Sequence, residues 1–325
     1  MKIGMLFPGY SSQFVGMGKE LYDNSRIVQE YYEEASNCLS INFVKLCFAS
    51  SDAELAKISN AYPALYLVGG STAAMLRDLF PDMQISCVAG YGIGEYSALS
   101  AANVLTLPDG LYLLSKLSQF YGAIREELDA KSVVVNGLTA KKLEQLCAEQ
   151  TEASEGSAHI SVYETKSEHI VTGTTDAVEA LADSASDAGA SKVKNIVVEE
   201  GFHSPLLQDL AAQLKVYLTK VDFKEAQIPV VTGINGKEVC RAQKTMDAII
   251  RQIAEPLHWT TVLKQFAETD MILVPAPSKM LVAELKALYP HKIIMGIDTM
   301  HDIDELRGYF AAQQIDEAEL QCCPA

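Results

Sequence analysis

The stretch Val88-Ala89-Gly90-Tyr91-Gly92-Ile93-Gly94-Glu95-Tyr96-Ser97-Ala98 decides how this chain folds. The apolar run Ile85 to Ala89 reads as a buried strand. It breaks into a glycine turn and then a helical segment from about Ile93. Strand, tight turn and helix in that order form a nucleophile elbow. In its usual form, G-x-S-x-G, the central Ser sits on the strained turn with its hydroxyl exposed beside backbone N–H donors. Here the pattern is Gly90-x-Gly92-x-Gly94. The glycines of the turn are present; the attacking oxygen is not.

Upstream, Lys2 to Phe7 is a short apolar strand and Pro8-Gly9-Tyr10-Ser11-Ser12-Gln13 a turn-rich loop. Helical patterns cover Ser25 to Leu39, Tyr62 to Leu79 and Pro108 to Leu128. Strands alternating with helices predict a largely parallel sheet with helices on both faces. From about Ala130 the order becomes strand Ser132 to Leu138, helix Ala140 to Glu149, polar loop Thr151 to Ser157, and strands His159 to Tyr163 and Ile170 to Thr172. Helix Thr175 to Gly189 and strand Lys192 to Val198 complete a β-α-β-β-α-β, ferredoxin-like unit. The expected fold class is therefore α/β. A hydrolase-like large domain, residues 1–129 and 200–312, carries an inserted subdomain at 130–199, and 313–325 is a polar, fraying tail.

The chain has 325 residues, 49% of them hydrophobic, and a formal net charge of −16. That charge disfavours nucleic acid and anionic membrane surfaces as partners. The seven cysteines show no metal-ligand spacing and suggest reduced thiols; no metal and no cofactor are expected. No signal peptide and no run of roughly 18 to 20 apolar residues is seen, so a cytoplasmic protein is expected.

Four motifs in order resemble the malonyl-CoA:acyl-carrier-protein transacylases and the acyltransferase domains of fatty-acid and polyketide synthases. Phe7-Pro8-Gly9-Tyr10-Ser11-Ser12-Gln13 is similar to F-P-G-Q-G-S-Q, and Gly90 to Ala98 to G-H-S-x-G-E-Y-x-A. Gly201-Phe202-His203-Ser204-Pro205 matches the segment of the general base, and Gln252 with Pro256 and Trp259 the segment that orients it. The resemblance runs from about Lys2 to Phe310. It implies a Ser nucleophile, a His base, a backbone oxyanion hole, and an Arg that grips the malonyl carboxylate.

The polar positions depart from that pattern. Gly92 stands at the nucleophile, Tyr91 at the preceding His and Leu117 at the Arg. Tyr10 and Tyr62 stand where glutamines are usual, and Ser11 where a Gly is. Glu164 and Glu168 replace Asn and Gln, Gly233 an Asn and Val274 a Glu. His203 and its orienting residue Gln252 are kept. Tyr10, Tyr62 and Tyr91, with Ile93 and Leu117, are the expected ligand-contacting residues. Ser97 reads as helix-facing or buried, and Ser11, Ser12 and Ser204 as near the cleft but not on a strained turn.

The expected function is a transacylase-like protein of fatty-acid or polyketide biosynthesis, catalytically inactive and acting by ligand or partner binding. Acyl-CoA, an acyl carrier protein or another biosynthetic enzyme are the partners this implies. The alternative is an active acyltransferase in which His203 activates the acceptor thiol directly and uncharged acyl groups are preferred. Lys116, Arg125 and Lys166 are the only basic residues expected near the cleft, which weakens docking of an acidic carrier.

Overall fold

The computed structural model describes residues 1–125, 127–153, 155–197 and 203–322, with side chains to 313. Strand β1 (Ile3–Phe7) leads to helices α1 (Lys19–Asn24), α2 (Arg26–Leu39), α3 (Phe43–Ala49), α4 (Asp52–Leu55) and α5 (Ile58–Leu79). Strand β2 (Ile85–Gly90) enters α6 (Gly94–Ala101) and α7 (Leu107–Ile124). Then come β3 (Lys131–Asn136), α8 (Ala140–Ala153), β4 (Ala158–Tyr163), β5 (Glu168–Gly173), α9 (Thr175–Asp187) and β6 (Lys192–Ile196). A 3-10 turn at Pro205–Leu207 opens α10 (Gln208–Leu218), followed by β7 (Val230–Val231), β8 (Glu238–Val239), α11 (Ala242–Ala254) and α12 (Trp259–Phe266). Strand β9 (Met271–Pro275), α13 (Lys279–Leu288), β10 (Ile293–Ile297) and α14 (Met300–Cys322) complete the chain.

Two sheets result. The first has the order β10-β9-β1-β2-β7-β8, parallel throughout except for β8 against β7. Strand β1 lies inside it and is buried along its whole length. Side chains alternate across the pleat. Met5 and Phe7 join the core under α5, α6 and α7, while Leu6 joins Trp259, Val262, Phe266 and Leu281 on the other face. The second sheet, β4-β5-β3-β6, is antiparallel, and Leu143, Leu146, Val178 and Leu181 of α8 and α9 cover one face of it. The two sheets are tied by the segment between α11 and α12. Leu257 N–H donates to the Ser161 carbonyl at 2.8 Å, and Tyr163 N–H to the Leu257 carbonyl at 2.9 Å.

Several boundaries differ from the sequence expectation, for local reasons. Helix α5 begins at Ile58 rather than Tyr62 and carries Pro63 inside. Helices α1, α3 and α4 and strand β8 are too short to show a sustained repeating pattern in sequence. Helix α8 continues through Ala153 into the stretch read as a loop. Helix α14 runs to Cys322, where a fraying tail was expected, because 313–322 contains good helix formers and neither Gly nor Pro. Val198 and Glu199, where the small unit was expected to close, lie outside the described residues, as do Gly201 and Phe202.

On β5, His169 is 1% exposed, and neither ring nitrogen has a hydrogen-bond partner among the described residues. Burial holds its pKa below the usual value, against the opposing attraction of Glu144. A depressed His pKa means the unfolded chain takes up the proton first, so this contribution to stability is lost as pH falls through the ordinary value of 6.5. His169→Leu is expected to lose less stability than the parent between pH 7 and pH 5 in denaturant titrations. An equal or steeper loss would refute the assignment.

Candidate active-site cleft

The elbow is built by close backbone packing. Tyr91 N–H donates to the Phe7 carbonyl at 2.9 Å, which holds the end of β2 against β1. A Cβ on Gly90 would sit 1.9 Å from the Gly94 carbonyl carbon, so only hydrogen fits there. Gly92 takes φ +52, the left-handed conformation of a nucleophile on this turn. A Cβ at Gly92 would lie 3.5 Å from Nε2 of His203 and 3.9 Å from its Cε1, and within 4 Å of no other described residue beyond its two chain neighbours. The elbow keeps its shape and its aim.

His203 is itself held at φ +79, a strained conformation for a non-glycine residue. Its N–H donates to the Ile253 carbonyl at 3.2 Å, and its Nδ1 lies 2.5 Å from the Gln252 carbonyl oxygen. A carbonyl only accepts, so Nδ1 carries the proton and Nε2 presents a lone pair toward Gly92. Burial pushes the imidazole down to about 4, with the Gln252 carbonyl acting in the opposite sense. The ring is neutral near pH 7, with the Nε2 lone pair unprotonated.

Gln252 thus holds His203 through its backbone, whereas its side chain does something else. Its Nε2 donates to Oε2 of Glu95 at 2.5 Å, and the same oxygen accepts the Gly233 N–H at 2.9 Å. Glu95 is 1% exposed; burial pushes its carboxyl up to about 7 despite those two bonds. Gly233, where the resemblance has Asn, leaves room for the Gln252 and Glu95 side-chain ends. A Cβ there would come within 2.7 Å of Gln252 Nε2 and 3.1 Å of Glu95 Oε2. Glu95 is assigned no role from sequence, although a lone ionisable residue between Gly94 and the uncharged segment Tyr96-Ser97-Ala98-Leu99 signals a buried carboxyl in need of partners.

A cleft of about 360 Å³ opens over the elbow, and Tyr10, Tyr62, Tyr91, Gly92, Ile93, Leu117, His203 and Gln252 all line it. The ring of Tyr10 meets Tyr62 edge-on at 5.8 Å while its hydroxyl donates to the Ala56 carbonyl at 2.9 Å. Tyr91 packs edge-on against Trp259 at 5.1 Å and donates to Oε2 of Glu164 at 2.7 Å, which links the elbow to the loop between β4 and β5. Trp259 in turn donates to Glu284, whose carboxyl is raised by burial and which also lines the cleft. Leu117 is buried, and the neighbouring Lys116 turns outward over the rings of Tyr112 and Tyr217. Among the described lining residues there are two carboxylates and no Lys or Arg. Glu168 is not among them.

One expectation is corrected here. Ser11 lines the cleft at φ +75, on a strained turn after all. The Ser12 N–H reaches back to the Gly9 carbonyl at 3.3 Å, and this turn demands positive φ at its third residue, which explains the Gly of the resembled motif. Ser97 is buried against α5, and Ser204 caps the 3-10 turn by accepting from the Leu206 N–H.

Tyr91→Phe removes the hydroxyl that bridges to Glu164. The expected loss is about 1 kcal/mol of stability, the usual worth of a partly buried hydrogen bond. A denaturation midpoint unchanged from the parent would show that the bridge contributes nothing.

The acyl transferase domain family model matches residues 5–286. The chain belongs to that family, and its relatives there are transacylases. It is 30% identical over 261 residues to the malonyl CoA-acyl carrier protein transacylase of Bacillus subtilis, covering 79% of this chain and 80% of that one. The Staphylococcus aureus enzyme of the same name is 23% identical over 93% of this chain and 97% of its own. An acyl carrier protein S-malonyltransferase from Vibrio cholerae superposes with a TM-score of 0.88 at 23% identity, over 94% of this chain and all of that one. No helix among the described residues is long and apolar enough to cross a membrane.

Proposed function

We propose that this chain is a transacylase-like protein of fatty-acid or polyketide biosynthesis that has lost the acyl-enzyme route and acts by binding an uncharged acyl thioester. The observation that carries this reading is Gly92 at the nucleophile position, φ +52, aimed at His203 with no side-chain oxygen to attack. In triad hydrolases, loss of the nucleophile costs about six orders of magnitude in turnover. Leu117 in place of the carboxylate-gripping Arg, in a cleft that Glu164 and Glu284 also line, supports an uncharged acyl group. The thioester carrier is coenzyme A or an acyl carrier protein, the partner named for the relatives.

Intact-mass spectrometry after incubation with butyryl-CoA and malonyl-CoA tests it. The expected result is no covalent acyl adduct with either, and saturable noncovalent binding of butyryl-CoA. An acyl adduct on the unmodified sequence, mapped for instance to Ser11, would overturn the reading.

A further inference from the structure

We propose that the cleft hydrolyses the neutral acyl thioester it binds, with water taking the place of the missing serine oxygen and His203 as its base. The inference rests on the binding reading above and goes beyond it. Three features remain in place that binding alone does not require. His203 is kept at φ +79 with Nδ1 committed to the Gln252 carbonyl, so its Nε2 faces the cleft without a hydrogen bond among the described residues. The space beside it, where a Cβ on Gly92 would meet only the imidazole, is open to a solvent oxygen. The Ile93 N–H, at the mouth of α6, makes no hydrogen bond among the described residues, and Ile93 lines the same cleft, where the helix N-terminus favours developing negative charge.

The step balances without any further reactant. Water attacks the thioester carbonyl carbon, forming a C–O bond, while its proton passes to Nε2 of His203. The carbonyl oxygen becomes an oxyanion that accepts from the Ile93 N–H. Collapse breaks the C–S bond; the departing thiolate takes the proton back from His203, leaving a carboxylic acid and a free thiol. Binding and the oxyanion donor supply about 10³-fold over the uncatalysed reaction, the residual level such sites retain, and the base adds about 10²-fold, an acceleration of about 10⁵-fold in all.

The test is thiol release from butyryl-CoA by the purified protein in water enriched in oxygen-18. The expected result is release about 10⁵-fold above buffer, one heavy oxygen in the butyrate, and no acyl adduct on the protein. His203→Gln, which keeps bulk without a base, is expected to reduce release at least 100-fold. Gly92→Ala, which puts a methyl where the attacking water must stand, is expected to do the same with the base intact. Calorimetric binding of butyryl-CoA to His203→Gln separates the two claims. Binding by that variant with no release by the parent overturns hydrolysis and leaves the binding reading; no binding overturns both. Release that survives both substitutions would also overturn the proposal.

Discussion

Gly92→Ser is expected to convert a protein that forms no acyl adduct into one that carries a butyryl group after exposure to butyryl-CoA. A Cβ at this position lies 3.5 Å from Nε2 of His203, so one rotamer of the new hydroxyl comes within hydrogen-bond reach of a neutral base. The turn already holds φ +52, and a serine there costs about 1 kcal/mol of strain, which the packing of Gly90 and Gly94 around the turn can hold. Transfer of butyryl to a thiol acceptor is expected to rise by about three orders of magnitude or more. Malonyl-CoA is expected to leave even this variant unmodified, because its carboxylate would meet Leu117, Glu164 and Glu284 and no cation. Adding Leu117→Arg to Gly92→Ser is expected to restore malonylation through a paired carboxylate. Intact mass reads all three. A folded Gly92→Ser variant that stays unmodified by butyryl-CoA would mean that the dyad geometry is not competent.

The second large effect concerns pH. Burial pushes His203 down to about 4 from its ordinary 6.5, so its contribution to stability is full above pH 6.5 and is lost as pH falls toward 4. Burial pushes Glu95 up to about 7 from 4.5, which has the opposite consequence: the folded state binds the proton first and gains stability as pH falls from 7 to 4.5. Each shift is worth about 3 kcal/mol over its window. Between pH 4.5 and 6.5 the two slopes cancel. Glu95→Gln removes one of them, and its amide can still accept the Gly233 N–H. Relative to the parent, the variant is therefore expected to become less stable by about 3 kcal/mol on going from pH 7 to pH 4.5. Taking the difference removes the buried His169 and the half-buried His159 and His258, whose lowered values are common to both proteins. Denaturant titrations at four pH values decide it. A difference that does not change with pH would exclude a proton held by Glu95 in the fold.

The candidate site was readable from the sequence to the extent that its parts are local. Gly90-x-Gly92-x-Gly94 after an apolar run specifies a strand, a tight turn and a helix over a few residues, and those residues fold as that elbow. The resemblance then placed Tyr10, Tyr62, Leu117, His203 and Gln252 around it, and all five line one cleft. The short helices α1, α3 and α4 escaped because a helix of four to seven residues offers too few positions to display a periodic face. The strain at Ser11 shows in sequence only through the Gly of the resembled motif, because Ser itself carries no preference for a positive φ.

From the sequence alone follow the elbow, the parallel core strands, the β-α-β-β-α-β order, and the absence of a serine at position 92 and of an arginine at 117. Each depends on a residue's identity or on its near neighbours along the chain. Only the tertiary structure assigns Gln252 two tasks, its carbonyl to His203 and its amide to Glu95, 157 positions away. The same holds for the reach of Tyr91 to Glu164 and the placing of Glu284 beside Trp259. Such pairings depend on which buried donors and acceptors packing brings within 3 Å, and on the low dielectric that then shifts their protonation. No spacing along the chain encodes them.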